Sequence, residues 1–294
     1  MFLTYVKLLR VPQWIKNVFL FVPLIFSKHL FHYDYFITTV LGFLAFCLLS
    51  SIVYIINDIT DIEADQIHPV KKNRPIASGR ISVKRSSLIT LFLVILNLLL
   101  LSLLNWQFAV MSLLYFLINL FYSLSLKHIV LLDIFSIAAG FMLRVGAGGF
   151  VINVEISSWL ILTTMFISLF LAVMKRRSEL ELFYSESLNS TRKVLEFYSI
   201  GFIDQMATVA AAGVIICYAL YTLSPRTVTI FNTENLIYTT PFVVFGIFRY
   251  MYLVIADKKG EYTTEIMLTD IPMITNIFLY GIFVIMIVYH IFGL

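Results

Sequence analysis

The sequence predicts an all-α, polytopic membrane protein, for three reasons. Of its 294 residues, 60% are hydrophobic and 13% charged, whereas a soluble domain sits nearer one half and one quarter. The apolar residues gather into runs that approach the roughly 20 residues a helix needs to cross hydrocarbon. The cations, finally, fall almost wholly into alternate loops.

Nine runs read as spans. The first, 14–30, opens on Lys16 and Asn17, which either line an interior or anchor the helix end. The second, 35–56, runs directly into an acidic stretch. The third, 86–104, and the fourth, 108–124, are joined by only Asn105-Trp106-Gln107. The fifth, 131–151, carries Arg144, and the short sixth, 159–173, runs into Lys175-Arg176-Arg177-Ser178-Glu179. The seventh is 200–223. The eighth, 237–256, carries Arg249, and the ninth is 271–292. No repeat or low-complexity tail divides the chain, so residues 1–294 read as a single transmembrane domain. The amino terminus has no cleavable signal pattern, because Lys7, Arg10 and Lys16 lead straight into a span.

Sidedness follows from charge. With nine spans, the amino terminus and loops 2–3, 4–5, 6–7 and 8–9 share one side and hold seventeen Lys and Arg residues, including Lys258 and Lys259. The other side holds only Lys28 and Arg226. The rich side is therefore cytoplasmic, the protein is expected in the cytoplasmic (inner) membrane, and the net charge of +4 needs no nucleic acid to explain it. Cys47 and Cys217 lie inside spans and act as small apolar residues. His68, His128 and His290 show no ligand spacing.

Chemistry concentrates after the second span, at Asn57-Asp58-Ile59-Thr60-Asp61-Ile62-Glu63-Ala64-Asp65. On a continuous helix Asp58, Asp61 and Asp65 share a face, with Asn57 beside them and Glu63 pointing elsewhere. Stacked carboxylates repel, and a divalent cation is the usual reason to tolerate them. Oxygen ligands select Mg²⁺, with Mn²⁺ possible, and such ions commonly hold a substrate phosphate too. Lys71, Lys72 and Arg74 follow, suited to phosphate oxygens. Loop 6–7 reads as a helix leaving the bilayer through Lys175, Arg176, Arg177, Glu179 and Tyr184 towards Arg192 and Lys193. It is either a positive anchor or a second wall of a phosphate site. Arg144 and Arg249 must face a cavity or a partner, with Asp133 and Asp204 as candidate counter-ions. Tyr122, Lys127 and Asp133 bracket loop 4–5, so Lys127 reaches the cytoplasmic face.

These residues make the chain resemble the UbiA superfamily of intramembrane prenyltransferases. Asn57-Asp58-x-x-Asp61-x-x-x-Asp65 matches that family's first Asp-rich motif, in the expected loop. The resemblance implies a helical bundle around a central cavity and Mg²⁺ on a diphosphate. Typical members carry a second Asp-rich motif in loop 6–7, and this chain is basic there. It shares that departure with the decaprenyl-phosphate phosphoribosyltransferase branch. The likeness extends to Gln13-Trp14-Ile15-Lys16-Asn17, to His68-Pro69-x-Lys71-x-x-Arg74-Pro75-Ile76-Ala77-x-Gly79 and to Tyr122-Ser123-Leu124-x-Leu126-Lys127. It also covers Gly140-Phe141-x-Leu143-Arg144-x-x-Ala147-Gly148-Gly149 and Phe248-Arg249-Tyr250.

What this implies is transfer of 5-phosphoribosyl from phosphoribosyl pyrophosphate to a polyprenyl monophosphate. Asp58, Asp61 and Asp65 are expected to hold Mg²⁺ with Asn57 assisting, and Asp58, Asp61, Lys175 and Glu179 to serve catalysis. Lys71, Arg74, Lys175 and Arg176 are expected on the donor phosphates, and Lys16, Lys127 and Arg144 on the lipid phosphate. Asn17, Tyr122 and Arg249 complete the expected substrate contacts. Two other readings remain: a prenyltransferase with an aromatic or other small acceptor, and an ion-coupled transporter. The transporter expects ionisable residues spread through mid-membrane broken helices, whereas these crowd one face.

Overall fold

A computed structural model describes residues 2–67, 70–186, 193–256 and 269–291. His68, Arg192, Lys258 and Lys259 lie outside the described residues, as do the side chains of Tyr184 and Lys193. Among the described residues every regular element is helical. The principal elements are α1 (Phe2–Leu8), a 3₁₀ segment (Val11–Leu20), α2 (Phe21–Phe26), α3 (Tyr33–Thr60), α4 (Ile62–Ile67), α5 (Val83–Leu101) and α6 (Trp106–Leu124). They continue with α7 (Leu132–Val151), α8 (Ser158–Glu186), α9 (Ile200–Leu223), α10 (Pro225–Phe231), α11 (Thr240–Ile255) and α12 (Ile271–Val288).

Eight of the described helices are long and apolar enough to cross a membrane. The expected first span is the exception, since Val11–Phe26 is a shorter apolar helix that begins in 3₁₀ form. Pro12 sits in its first turn, where a missing N–H costs nothing. The tighter winding rises about 2.0 Å per residue against 1.5 Å, so this segment extends to about 29 Å, close to the hydrocarbon thickness of about 30 Å. Hydropathy detects the apolar run and not its winding. The end of the sixth span also moves, because α8 continues unbroken to Glu186, as the spacing beyond residue 173 suggested.

The chain forms two compact units. Unit 1 comprises Met1–Leu24, Leu30–Lys127 and Leu143–Val154, and unit 2 comprises Ile25–His29, His128–Met142 and Glu155–Leu294. In unit 1 the core gathers around α3, with Phe46 packed against Phe108 and Tyr115. Asn97 of α5 donates to the Ala45 carbonyl at 2.7 Å, a polar tie of the kind that joins helices in lipid. Opposite that tie, α5 leaves Leu88, Leu91, Phe92, Ile95, Leu98 and Leu99 exposed, the surface a lipid-facing helix requires.

The 3₁₀ period of three residues stacks Trp14, Asn17 and Leu20 in one row. Trp14 donates to Ser51 at 3.0 Å, and Asn17 and Leu20 are fully buried. A Cβ on Gly148 of α7 would stand 2.2 Å from the Leu20 carbonyl oxygen, so only glycine permits this approach.

In unit 2 the core joins α8, α9, α11 and α12, with Phe170 edge-on to Tyr250. Asn276 of α12 donates to the Phe242 carbonyl of α11 at 2.9 Å. Ser199 caps α9, and Asp270 caps α12.

Candidate functional site

Unit 1 holds the acidic motif. Its helix does not run through: α3 ends at Thr60, Asp61 forms the cap, and α4 restarts at Ile62. The motif therefore divides. Asp58 and Asp65 are buried and share one guanidinium nitrogen of Arg74, at 3.1 and 2.5 Å. Asp61 turns aside to the Lys127 ammonium, at 2.8 Å from one carboxylate oxygen and 3.1 Å from the other. Glu63 is exposed. Asn57 accepts the Asp61 N–H at its carbonyl, at 2.9 Å, and keeps a half-buried side chain.

The expected convergence of three carboxylates is thus corrected. Among the described residues no three His, Cys, Asp or Glu side chains gather as a metal cage. The donor chemistry nonetheless fits a hard divalent cation. Asp58 and Asp65 already bracket one positive charge, and Mg²⁺ typically takes only one or two carboxylates, completing its shell with water and substrate phosphate.

Arg10 also reaches this site, although in the sequence it stands out only as one of the cations before the first span. Its guanidinium pairs with Asp58 and lies 4.6 Å from the Tyr54 ring centroid. Its backbone is left-handed, φ 50°, at the joint between α1 and the 3₁₀ segment. Position just before the first apolar run is the one sequence signal for it, and Lys7 shares that signal. Arg74 is placed by the turn Arg74-Pro75-Ile76-Ala77-Ser78-Gly79, where Gly79 has φ 72°. Lys71 is half-buried in the 3₁₀ turn before it.

On α7, in unit 1, Arg144 is buried. Its Nε donates to Asn17 at 2.8 Å, and a terminal nitrogen donates to the Tyr115 hydroxyl at 2.7 Å. The guanidinium carbon also lies 4.7 Å from the Tyr115 ring centroid. Ser50 bonds both Asn17 and Tyr115 at 3.4 Å. Lys16 is half-buried next to Asn17, and Tyr122 is half-buried near the end of α6. Nothing in the sequence marks Tyr115 and Ser50, because a Ser hydroxyl in an apolar run ordinarily bonds its own helix and a Tyr ring there reads as packing surface.

Unit 2 holds the basic segment, on α8. Lys175 and Glu179 are half-buried one turn apart, while Arg176, Arg177 and Ser178 are buried. Arg176, expected on substrate, is instead fully enclosed: its Nε donates to Asp133 at 2.5 Å, and its NH1 pairs with Glu179. Arg177 pairs with Glu181 and lies 3.3 Å from Asp204. Arg249 makes two bonds to Asp270, at 3.1 and 2.8 Å, and so braces the cap of α12. The candidate counter-ions are corrected accordingly. Asp133 and Asp204 serve Arg176 and Arg177, and Arg144 and Arg249 find other partners.

Comparison with known proteins follows the same lines. The model of the UbiA prenyltransferase family matches residues 18–268. A decaprenyl-phosphate phosphoribosyltransferase from Mycolicibacterium smegmatis is 34% identical over 223 residues, covering 74% of this chain and 70% of that one. Its counterpart from Corynebacterium glutamicum is 36% identical over 220 residues, covering 74% and 66%. A UbiA homolog from Archaeoglobus fulgidus, solved bound to GPP and Mg²⁺, superposes with TM-score 0.71 over 99% of this chain and 100% of that one. At 19% identity that last likeness shows the fold alone.

Proposed function

The chain belongs to the UbiA prenyltransferase family and is an integral membrane transferase, and on that premise we propose that it moves 5-phosphoribosyl from phosphoribosyl pyrophosphate to a polyprenyl monophosphate. The observation that carries this reading is the character of α8. Where a typical member supplies a second set of metal-binding carboxylates, this helix presents a half-buried Lys175, and its own Glu179 and Glu181 are engaged by Arg176 and Arg177. A donor with a 5-phosphate and an acceptor with a phosphate both bring anions beyond the pyrophosphate, and cations suit them better than carboxylates. The identity to two phosphoribosyltransferases supports the same choice.

In this reading Asp58 and Asp65 would hold Mg²⁺ or Mn²⁺, with Asn57 and Asp61 as further oxygen donors of the same motif. Bound there, the cation would offset charge on the pyrophosphate. Arg10, Lys71, Arg74 and Lys175 bind donor phosphate oxygens, and Lys127, Lys16 and Arg144 bind the lipid phosphate, with Asn17 and Tyr115 fixing Arg144. Tyr122 lies on the acceptor side, and Glu179 orients a ribose hydroxyl. Arg176 and Arg249 act behind these groups. The bond from the anomeric carbon to pyrophosphate breaks, with its electron pair leaving on pyrophosphate. A lipid phosphate oxygen forms the new bond. That oxygen is already ionised at neutral pH, so no general base is needed, and positioning supplies much of the rate.

Residues 1–294 act as one domain, a reading supported by a family match that runs through both units. The loading of cations on the amino terminus and even-numbered loops supports a cytoplasmic face for the chemistry, in the inner membrane. The test is incubation of purified protein with radiolabelled phosphoribosyl pyrophosphate, Mg²⁺ and polyprenyl phosphate, followed by lipid extraction. Label in the organic phase is expected. Turnover only with a prenyl diphosphate and an aromatic acceptor replaces this reading with the ordinary family reaction.

A further inference from the structure

We propose that Tyr198 and Asp133 are positioning residues for the donor, acting through Arg176 on Glu179. The proposal rests on the donor reading above, and all four residues belong to unit 2. It starts from a strained residue. Leu131, just before α7, has φ 67°, a conformation that a bulky side chain holds only when its surroundings enforce it. The enforcing contact is visible: its N–H donates to the Tyr198 hydroxyl at 2.7 Å. That hydroxyl in turn donates to one oxygen of Asp133 at 2.7 Å. The other oxygen accepts from Arg176 Nε, and the NH1 edge of Arg176 grips Glu179.

Each group in this chain has a fixed role. The phenol has a single hydrogen and spends it on Asp133, so it can only accept from Leu131. Burial pushes the Tyr198 hydroxyl up to about 12, so it remains a donor at neutral pH. Asp133 stands in the first turn of α7, where the helix end favours a carboxylate. Accessibility changes along the chain as well: Asp133 and Arg176 are fully enclosed, while Glu179 keeps a quarter of its side chain exposed. A buried run of hydrogen bonds therefore reaches a carboxylate that is partly open. A guanidinium held at its Nε edge cannot swing, so the carboxylate on its far edge is held too.

Tyr198→Phe tests this. The ring stacks on Phe202, with 13° between planes, so phenylalanine keeps its place and loses only the hydroxyl. The expected result is a loss of about tenfold in kcat/KM, a step of about 1.4 kcal/mol, carried by KM for phosphoribosyl pyrophosphate. KM for polyprenyl phosphate should stay unchanged. Added to Glu179→Gln, Y198F should cost little more, because both changes act on one group. Equal losses for both substrates with a lowered Tm, or additive losses in the double variant, overturn the proposal. If Y198F does not fold, Glu179→Gln alone, at a side chain a quarter exposed, should raise the same donor KM, and an unchanged KM overturns it. A wild type inert with phosphoribosyl pyrophosphate sinks the donor reading alone. The cycle is then read on whichever donor turns over or, failing that, on calorimetric binding of inorganic pyrophosphate.

Discussion

The acidic face of unit 1 and the basic helix of unit 2 both consist of ion pairs, yet they are built for opposite purposes. Around Asp58, Asp61 and Asp65 the cations stand partly in the open: the side chains of Arg10, Arg74 and Lys127 are 21%, 24% and 13% exposed. In the Arg176–Asp133 pair both members are at 0%. A pair with a partly open cation can admit a phosphate oxygen in exchange, whereas a closed pair that loses one member strands a charge. Exchangeable pairs suit binding, and closed pairs hold shape.

The largest effect expected of this contrast is functional. Asp58→Ala and Asp61→Ala should each reduce turnover to background while circular dichroism and Tm stay near wild type, and chelation of divalent metal should do the same to the wild type. Near-normal turnover in both variants, or full activity in chelator, breaks the comparison at its acidic end.

The basic end should fail in the opposite manner. Asp133→Ala leaves Arg176 buried without its carboxylate and should destabilise by about 3–5 kcal/mol, read as a large fall in Tm in detergent. A Tm within a degree or two of wild type would mean that this pair can open after all.

Lys175 sharpens the contrast, being a half-buried cation on the same helix as the closed pairs. Lys175→Ala should cost about 1.5–3 kcal/mol in use of the sugar donor, roughly ten- to a hundredfold or more in kcat/KM, with Tm preserved. If Lys175→Ala and Glu179→Gln both turn over the donor normally, α8 is a topological anchor only. The smallest effect belongs to Asp270→Ala, which removes a helix cap and the partner of Arg249. About 1 kcal/mol of stability, with donor KM unchanged, would mark Arg249 as a brace.

Much of this architecture is legible in the sequence, for reasons of scale. A span announces itself over some 20 apolar residues, and the acidic motif announces itself by spacing. What escapes is decided by contacts distant in sequence or by local winding. Nothing near Asp61 breaks a helix by composition, yet α3 ends there and Asp61 departs to Lys127, 66 positions away. Arg176 reads as a free cation because its partner Asp133 lies 43 positions earlier. The first span reads as ordinary because Val11–Leu20 is apolar whichever way it winds.

That winding restricts how the protein can change over time. With 120° per residue, Trp14, Asn17 and Leu20 form one column, fixed at one end by Ser51 and at the other by the bare backbone of Gly148. One residue gained or lost between them turns the column a third of the way round. Asn17 then leaves Arg144, or Leu20 drives a side chain into α7. Length at this joint can vary only in steps of three, so descendants that adapt to other lipids must do so by substitution, with the frame of this segment held constant.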